Sequence, residues 1–167
     1  ETVPFQWFKA GAFMHYVSGN LVFLFLFLFA VYYRSNLKIS KIVPILTIFT
    51  NAIVLIMVIF ASLMFESLVE APFLVDKIHI YPTGYLIFSV ITILMFILSQ
   101  VYLARKYAVA EGLDKVHLGY LVFGTAIAGF LGLISNLILP GFCNFSFFYL
   151  GPIITTALFV GTLVYAI

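Results

Sequence analysis

Five blocks of the sequence, each longer than twenty residues, contain no Asp, Glu, Lys or Arg. They are residues 13–33, 42–65, 81–103, 116–139 and 145–167. A helix needs about 20 apolar residues to cross the hydrocarbon core of a bilayer, and every block reaches that length. Because backbone polar groups in lipid must be paired internally, helices are expected rather than open strands. The sequence therefore predicts an all-α, polytopic membrane helix bundle with about five transmembrane helices.

The composition supports this interpretation and excludes other classes of protein. Charged residues make up 8% of the chain, whereas soluble domains carry roughly 25%. Eight basic residues and a net charge of +2 form no track for nucleic-acid phosphates. The single cysteine, Cys143, excludes an internal disulfide framework and a cysteine-based metal site. We expect the lipid bilayer to be the main partner, and neither a metal nor another cofactor to be bound.

The basic residues predict how the helices are oriented. Six of the eight lie in the loops after the first and third blocks: Arg34, Lys38, Lys41, Arg105, Lys106 and Lys115. Since basic loops stay on the cytoplasmic side, the N-terminus is expected outside and Ile167 inside. This is the topology of a multi-pass protein of the plasma (inner) membrane.

The limits of the chain predict a fragment. It begins at Glu1 rather than at Met, and its last apolar block reaches Ile167 without a stop signal. We expect residues 1–167 to form a single transmembrane helical domain of a longer protein.

No set of residues in the chain predicts catalysis. Every Asp, Glu, Lys and Arg is placed in a loop or at the end of a span, so none is available for ion coupling in the middle of the membrane. The chain also has no nucleophile–base pair and no Gly-rich phosphate loop. We expect these residues not to form an enzyme.

Small residues recur every four positions in the fourth block. Gly124, Ala128 and Gly132 lie on one helix face, which Asn136 continues. Small side chains let another helix approach closely, and an amide can donate across the contact. This face is interpreted as a tight packing seam within the bundle, or alternatively as a homodimer surface or a seam along which helices move.

A few polar side chains inside the blocks are candidates for binding a ligand. They are Asn20, Asn51, Tyr81, Tyr85 and Asn136. Pockets between bundle helices are mostly apolar with a few polar groups, which this set would supply for a small apolar or weakly polar molecule. The alternative is that the amides bond to one another between helices and that the tyrosines anchor the helix start at the interface.

Several short motifs resemble a known family. They are residues 81–85 (YPTGY), 107–119, 136–140, 150–153 and 165–167. Together they resemble the C-terminal five helices of the seven-transmembrane sensor region of bacterial histidine kinases and diguanylate cyclases. The resemblance implies that the last helix leads into a cytoplasmic output domain and that the full-length protein is a histidine kinase or a related enzyme. The chain departs from the family in having five spans instead of seven and no phosphoacceptor motif.

The leading functional interpretation is a membrane-embedded sensor module of a signal-transduction protein, as in a two-component system. It relays a ligand or the state of the membrane to a cytoplasmic output. One alternative is a non-catalytic integral subunit of a larger membrane complex, recognisable by fixed partners in purification. Another is part of a facilitative transporter for a neutral solute, for which an inverted repeat would be the sign.

Overall fold

A computed structural model describes residues 5–33, 42–59, 65–68, 78–80 and 82–139, together with 153, 156–158, 160–162 and 164. The elements in chain order are α1 (Phe5–Tyr32), α2 (Ile42–Ile59), β1 (Phe65–Leu68), β2 (Ile78–Ile80), α3 (Pro82–Val109) and α4 (Gly112–Leu133). A π-helical turn, Ile134–Ile138, continues α4. We call the two ends of the bundle the Pro82 end and the Lys106 end, after residues near the start and end of α3.

Three helices are long and apolar enough to cross a membrane. They are Met14–Tyr32, Thr83–Val109 and Gly112–Ile138, and Ile42–Ile56 is a shorter apolar helix. The predicted all-α helix bundle is confirmed, with one short pair of strands in addition, and the protein is membrane-embedded. Most of the predicted fifth span, residues 145–167, lies outside the described residues.

The distribution of side chains is that of a protein in lipid. Large apolar side chains cover the outside, among them Phe25, Phe49 and Phe123, which are 62%, 64% and 63% exposed. Buried polar side chains lie inside the bundle: Asn20, Thr47, Asn51, Thr92, Ser99, Lys106 and Thr125. Since lipid tails are as apolar as these outer side chains, the specific contacts between helices come from close packing and from the polar groups inside.

The third helix is the centre of the bundle, because it packs against α1, α2 and α4. Its buried positions follow a spacing of three or four residues, which keeps them on one helix face. They include Phe88, Thr92, Met95, Ser99, Leu103 and Lys106. Through these positions α3 holds the other three helices in register.

The helix limits differ from the predicted spans. The third span was predicted to end at residue 103, but α3 continues to Val109, and only Ala110 and Glu111 separate it from α4. Gly112 starts α4 with a φ of 57°, a left-handed conformation that glycine adopts without steric strain. Arg105, Lys106 and Lys115, which were predicted for a loop, are therefore helical. They are helical because the turn between α3 and α4 is so short that the helices include most of the charged residues.

The second span was predicted to reach residue 65, but α2 ends at Ile59 and Phe65 begins β1. β1 pairs with β2 in an antiparallel arrangement, with Phe65 opposite Ile80 and Leu68 opposite Ile78. No secondary structure was predicted between the second and third spans. The alternation of Ile78, His79 and Ile80 has the two-residue period of a strand.

The end of α4 widens into the π-helical turn. The Leu139 N–H donates to the carbonyl of Ile134, five residues earlier. Pro140, next in the sequence, has no N–H to donate to the carbonyl of Asn136. Single π turns inside helices are frequent at functional sites, and this one borders the cavity described below.

Candidate ligand-binding site

Two of the predicted ligand residues bind each other. Asn20 on α1 donates from Nδ2 to Oδ1 of Asn51 on α2, over 2.9 Å. Asn51 in turn donates to the carbonyl of Thr47 at 3.1 Å and to Sδ of Met95 on α3 at 2.6 Å. Asn20 is 0% exposed and Asn51 1%. The asparagine pair therefore links three helices. Hydrogen bonding between helices was the predicted alternative to ligand binding for these amides.

Replacing Asn51 with leucine should lower the free energy of unfolding. The change leaves the buried Asn20 Nδ2 without its acceptor, and an unsatisfied buried donor costs about 1–3 kcal/mol. Denaturant unfolding in detergent micelles measures the effect. If the pair acts as a unit, the Asn20→Leu/Asn51→Leu double variant should lose less than the sum of the single changes. Strictly additive losses would contradict the coupling.

A third predicted residue, Tyr85, ties α3 to the π turn. Its hydroxyl donates to the carbonyl of Leu137 over 2.6 Å, and the ring is 7% exposed. The ring also meets Tyr16 on α1 edge to face, with centroids 6.3 Å apart. Phe88 completes this aromatic cluster, 5.5 Å from Tyr16. Tyr85 thus supports the wall of the bundle at the Pro82 end.

An interhelical cavity of about 170 Å³ lies beside this cluster, in the half of the bundle nearer the Pro82 end. It is lined by residues from α1, α3, α4 with its π turn, and the C-terminal segment, the name used here for the described residues 153, 156–158, 160–162 and 164. The main ones are His15, Ser18, Gly19, Phe88, Thr92, Gly129, Gly132, Asn136 and Thr156. Among the described residues that line it, none is Asp, Glu, Lys or Arg. The cavity is therefore mostly apolar, with a few polar groups from different elements.

The polar groups of the cavity differ in their hydrogen bonds. The hydroxyls of Ser18 and Thr92 donate to carbonyls of their own helices, at 3.0 and 2.8 Å, which leaves their oxygens as acceptors. Asn136 is different, because its Oδ1 is buried and has no hydrogen-bond partner among the described residues. An amide in that state gains most from a ligand that offers it a hydrogen bond.

The four predicted ligand residues that the structure describes do not share one site. Asn20 donates to Asn51, Tyr85 donates to the Leu137 carbonyl, and Asn136 is the one described candidate that lines the cavity. Tyr81 lies outside the described residues. The cavity therefore shares Asn136 with the site expected from the sequence. Asn20 and Asn51 do not line it, because buried amides pair with each other where two helices bring them within reach.

The small residues of α4 have different neighbours. A Cβ atom at Gly124 would collide with Thr162 of the C-terminal segment, so this segment packs closely there. Ala128 is fully buried, and both Ala128 and Gly132 line the cavity. Close contact with α3 occurs instead at Gly129, where a Cβ would collide with the ring of Phe96.

Lys106 makes a contact between helices that was not predicted from the sequence. It was expected in a cytoplasmic loop, but it lies on the last turn of α3 and is 4% exposed. Its Nζ donates to the carbonyls of Val31 at 2.9 Å and Tyr33 at 2.6 Å, at the end of α1. Continuing the spacing of Met95, Ser99 and Leu103 by three residues would have placed it on the inner face.

Comparison with known proteins adds no relative: no family model, curated protein or solved structure matches the chain. Within the described part of the chain, no three His, Cys, Asp or Glu side chains are grouped as metal ligands would be. The candidate site is therefore the interhelical cavity, and its chemistry carries the functional argument.

Proposed function

We propose that the chain is the membrane-embedded sensor module of a signal-transduction protein. A small neutral molecule binds in the interhelical cavity, and the bundle relays its presence to a cytoplasmic output domain. The observation that carries this proposal is that α1, α3, the π turn and the C-terminal segment all line one cavity. A ligand there touches each element that would have to move against the others.

The size and polarity of the cavity define the class of ligand. An engineered apolar cavity of about 150 Å³ holds benzene, so about 170 Å³ suits a compact molecule of that order. The absence of Asp, Glu, Lys and Arg among its described lining residues favours an uncharged ligand. Asn136 favours one with a hydroxyl or an amide.

The π turn is the element that we propose to change between two states. Asn136 and Leu137 line the cavity, and the Leu137 carbonyl also accepts the hydrogen bond of Tyr85. A ligand shifts an equilibrium only through its different affinities for the two states. Contact with Asn136 supplies such a difference, and Thr156 on the cavity wall passes the change to the C-terminal segment.

The proposed location is the bacterial inner membrane, with the N-terminus outside and Ile167 in the cytoplasm. The basic loops support this orientation. The resemblance to sensor regions of bacterial histidine kinases and diguanylate cyclases supports the choice of membrane. Catalysis then belongs to the output domain rather than to these residues.

Single cysteines test the orientation. In a Cys143→Ser background, we expect a membrane-impermeant thiol reagent added to whole cells to label Asp76→Cys but not Ser35→Cys, because basic loops remain inside. Permeabilised cells provide the control for accessibility. Labelling of position 35 alone in intact cells would contradict the orientation.

Filling the cavity should abolish the response of the output. Gly19 lines the cavity and a Cβ there has no neighbour within 4 Å, so we expect the larger side chain of Gly19→Leu to occupy the space. Asn136→Ala removes one hydrogen bond and should weaken the apparent affinity for the stimulus about five- to tenfold. The readout is autophosphorylation or cyclic-dinucleotide synthesis by the full-length protein in proteoliposomes.

Ser135→Ala is the matched control. Ser135 lies on the same π turn, donates to the Leu131 carbonyl at 2.9 Å and does not line the cavity. It should leave the response unchanged. Normal responses in both cavity variants would overturn the site. Copurification of the chain with fixed membrane partners, and without an output domain, would favour the membrane-subunit alternative.

A further inference from the structure

A second concave surface lies at the opposite, Lys106 end of the bundle. This Tyr107 groove has a volume of about 750 Å³ and runs between α4 and the C-terminal segment, with Tyr107 of α3 at its side. Its α4 residues extend from Gly112 to Gly124, which is about 18 Å along a helix axis. One leaflet of the hydrocarbon core is about 15 Å deep, half of roughly 30 Å. The groove therefore has the length of one leaflet.

The groove is bounded at one end and along its sides. At the far end the groove closes, because Gly124 and Thr162 are in close contact. Along its sides the groove is apolar and aromatic, with Tyr120 and Phe123 among its residues.

One charged side chain lies at the open end of the groove. Lys115 is the only one of the described lining residues with a side chain of the Asp, Glu, Lys and Arg group. Its Nζ lies 5.7 Å from the centre of the Tyr107 ring, within range of a cation–π contact. Glu111, Asp114 and Arg105 are exposed at the same end but do not line the groove. A lysine at the start of a membrane helix lies at the depth of the lipid headgroups.

We propose that the Tyr107 groove binds one anionic phospholipid. An acyl chain lies along α4 from Val116 to Gly124, and the phosphate meets the Nζ of Lys115. Basic pockets between membrane helices bind anionic headgroups in this way. The site is independent of the interhelical cavity and of the proposed sensor function, because none of its lining residues borders that cavity.

Native mass spectrometry of the purified full chain, exchanged between phosphatidylglycerol and phosphatidylcholine, tests the site. Wild type should retain phosphatidylglycerol in preference. Lys115→Gln should reduce that preference about fivefold, the factor that corresponds to about 1 kcal/mol per basic residue near the surface. Arg105→Gln, which removes the same charge at the same end but outside the groove, should leave the preference intact.

A third variant tests the place of the acyl chain. A Cβ at Gly161, which lines the groove, has no neighbour within 4 Å, so we expect Gly161→Leu to place its side chain in the groove and displace both lipids. Its melting temperature should stay within a few degrees of wild type. Equal loss in Lys115→Gln and Arg105→Gln would show attraction by general surface charge and overturn the site. Retained lipid in Gly161→Leu, or a dimer that this change disrupts, would place the lipid elsewhere or make a second copy the occupant.

Discussion

Replacing Lys106 with methionine should lower the free energy of unfolding by about 2 kcal/mol. Lys106 Nζ donates to two carbonyls at the end of α1, those of Val31 and Tyr33. The last carbonyls of a helix have no partner within it, and a buried unsatisfied group costs about 1–3 kcal/mol. Methionine keeps the length of the side chain but removes the donor. Denaturant titration or thermal unfolding in detergent measures the loss.

Arg105→Met is the control for this change. Arg105 precedes Lys106 on the same helix turn but is exposed, so its replacement should alter stability by no more than about 0.5 kcal/mol. The Lys106 variant should also make the end of α1 more sensitive to protease than the control does. Equal effects of the two changes would show that the hydrogen bonds of Lys106 add nothing beyond its charge.

Introducing leucine at Gly129 should lower stability by about 1–3 kcal/mol, the usual penalty of overpacking, or prevent assembly of the bundle. Even a Cβ atom at this position would collide with the Phe96 ring on α3. That ring is 9% exposed and packs edge to face on Phe23, with centroids 5.8 Å apart, so it has little room to move. Thermal unfolding and size-exclusion profiles in detergent give the result.

Two further variants separate steric overlap from a general intolerance of glycine replacement. Gly19→Ala, where a Cβ meets nothing within 4 Å, should be tolerated in α1. Phe96→Ala removes the obstructing ring, so the Gly129→Leu/Phe96→Ala double variant should be more stable than the sum of the single losses predicts. Additive losses would show that Phe96 is not the obstacle.

The sequence alone predicted the class of the protein and the main helices. The charge-free blocks carry that information because the length of an uncharged apolar run is set by the thickness of the bilayer, not by neighbouring parts of the chain. Three of the five predicted spans correspond to helices long enough to cross a membrane, α1, α3 and α4. The small residues of α4 were also visible, as was the spacing that places Gly124, Ala128 and Gly132 on one face.

Only the tertiary structure decided which polar groups meet. Asn20 and Asn51 are 31 positions apart in the sequence, and their bond depends on how α1 packs against α2. Lys106 and Val31 are 75 positions apart, so a lysine that looks like a loop residue becomes the partner of another helix. In lipid, each buried polar group needs a partner, but local sequence does not determine which helix supplies it. The cavity beside Asn136 follows from the same packing, since four separate segments contribute to its wall.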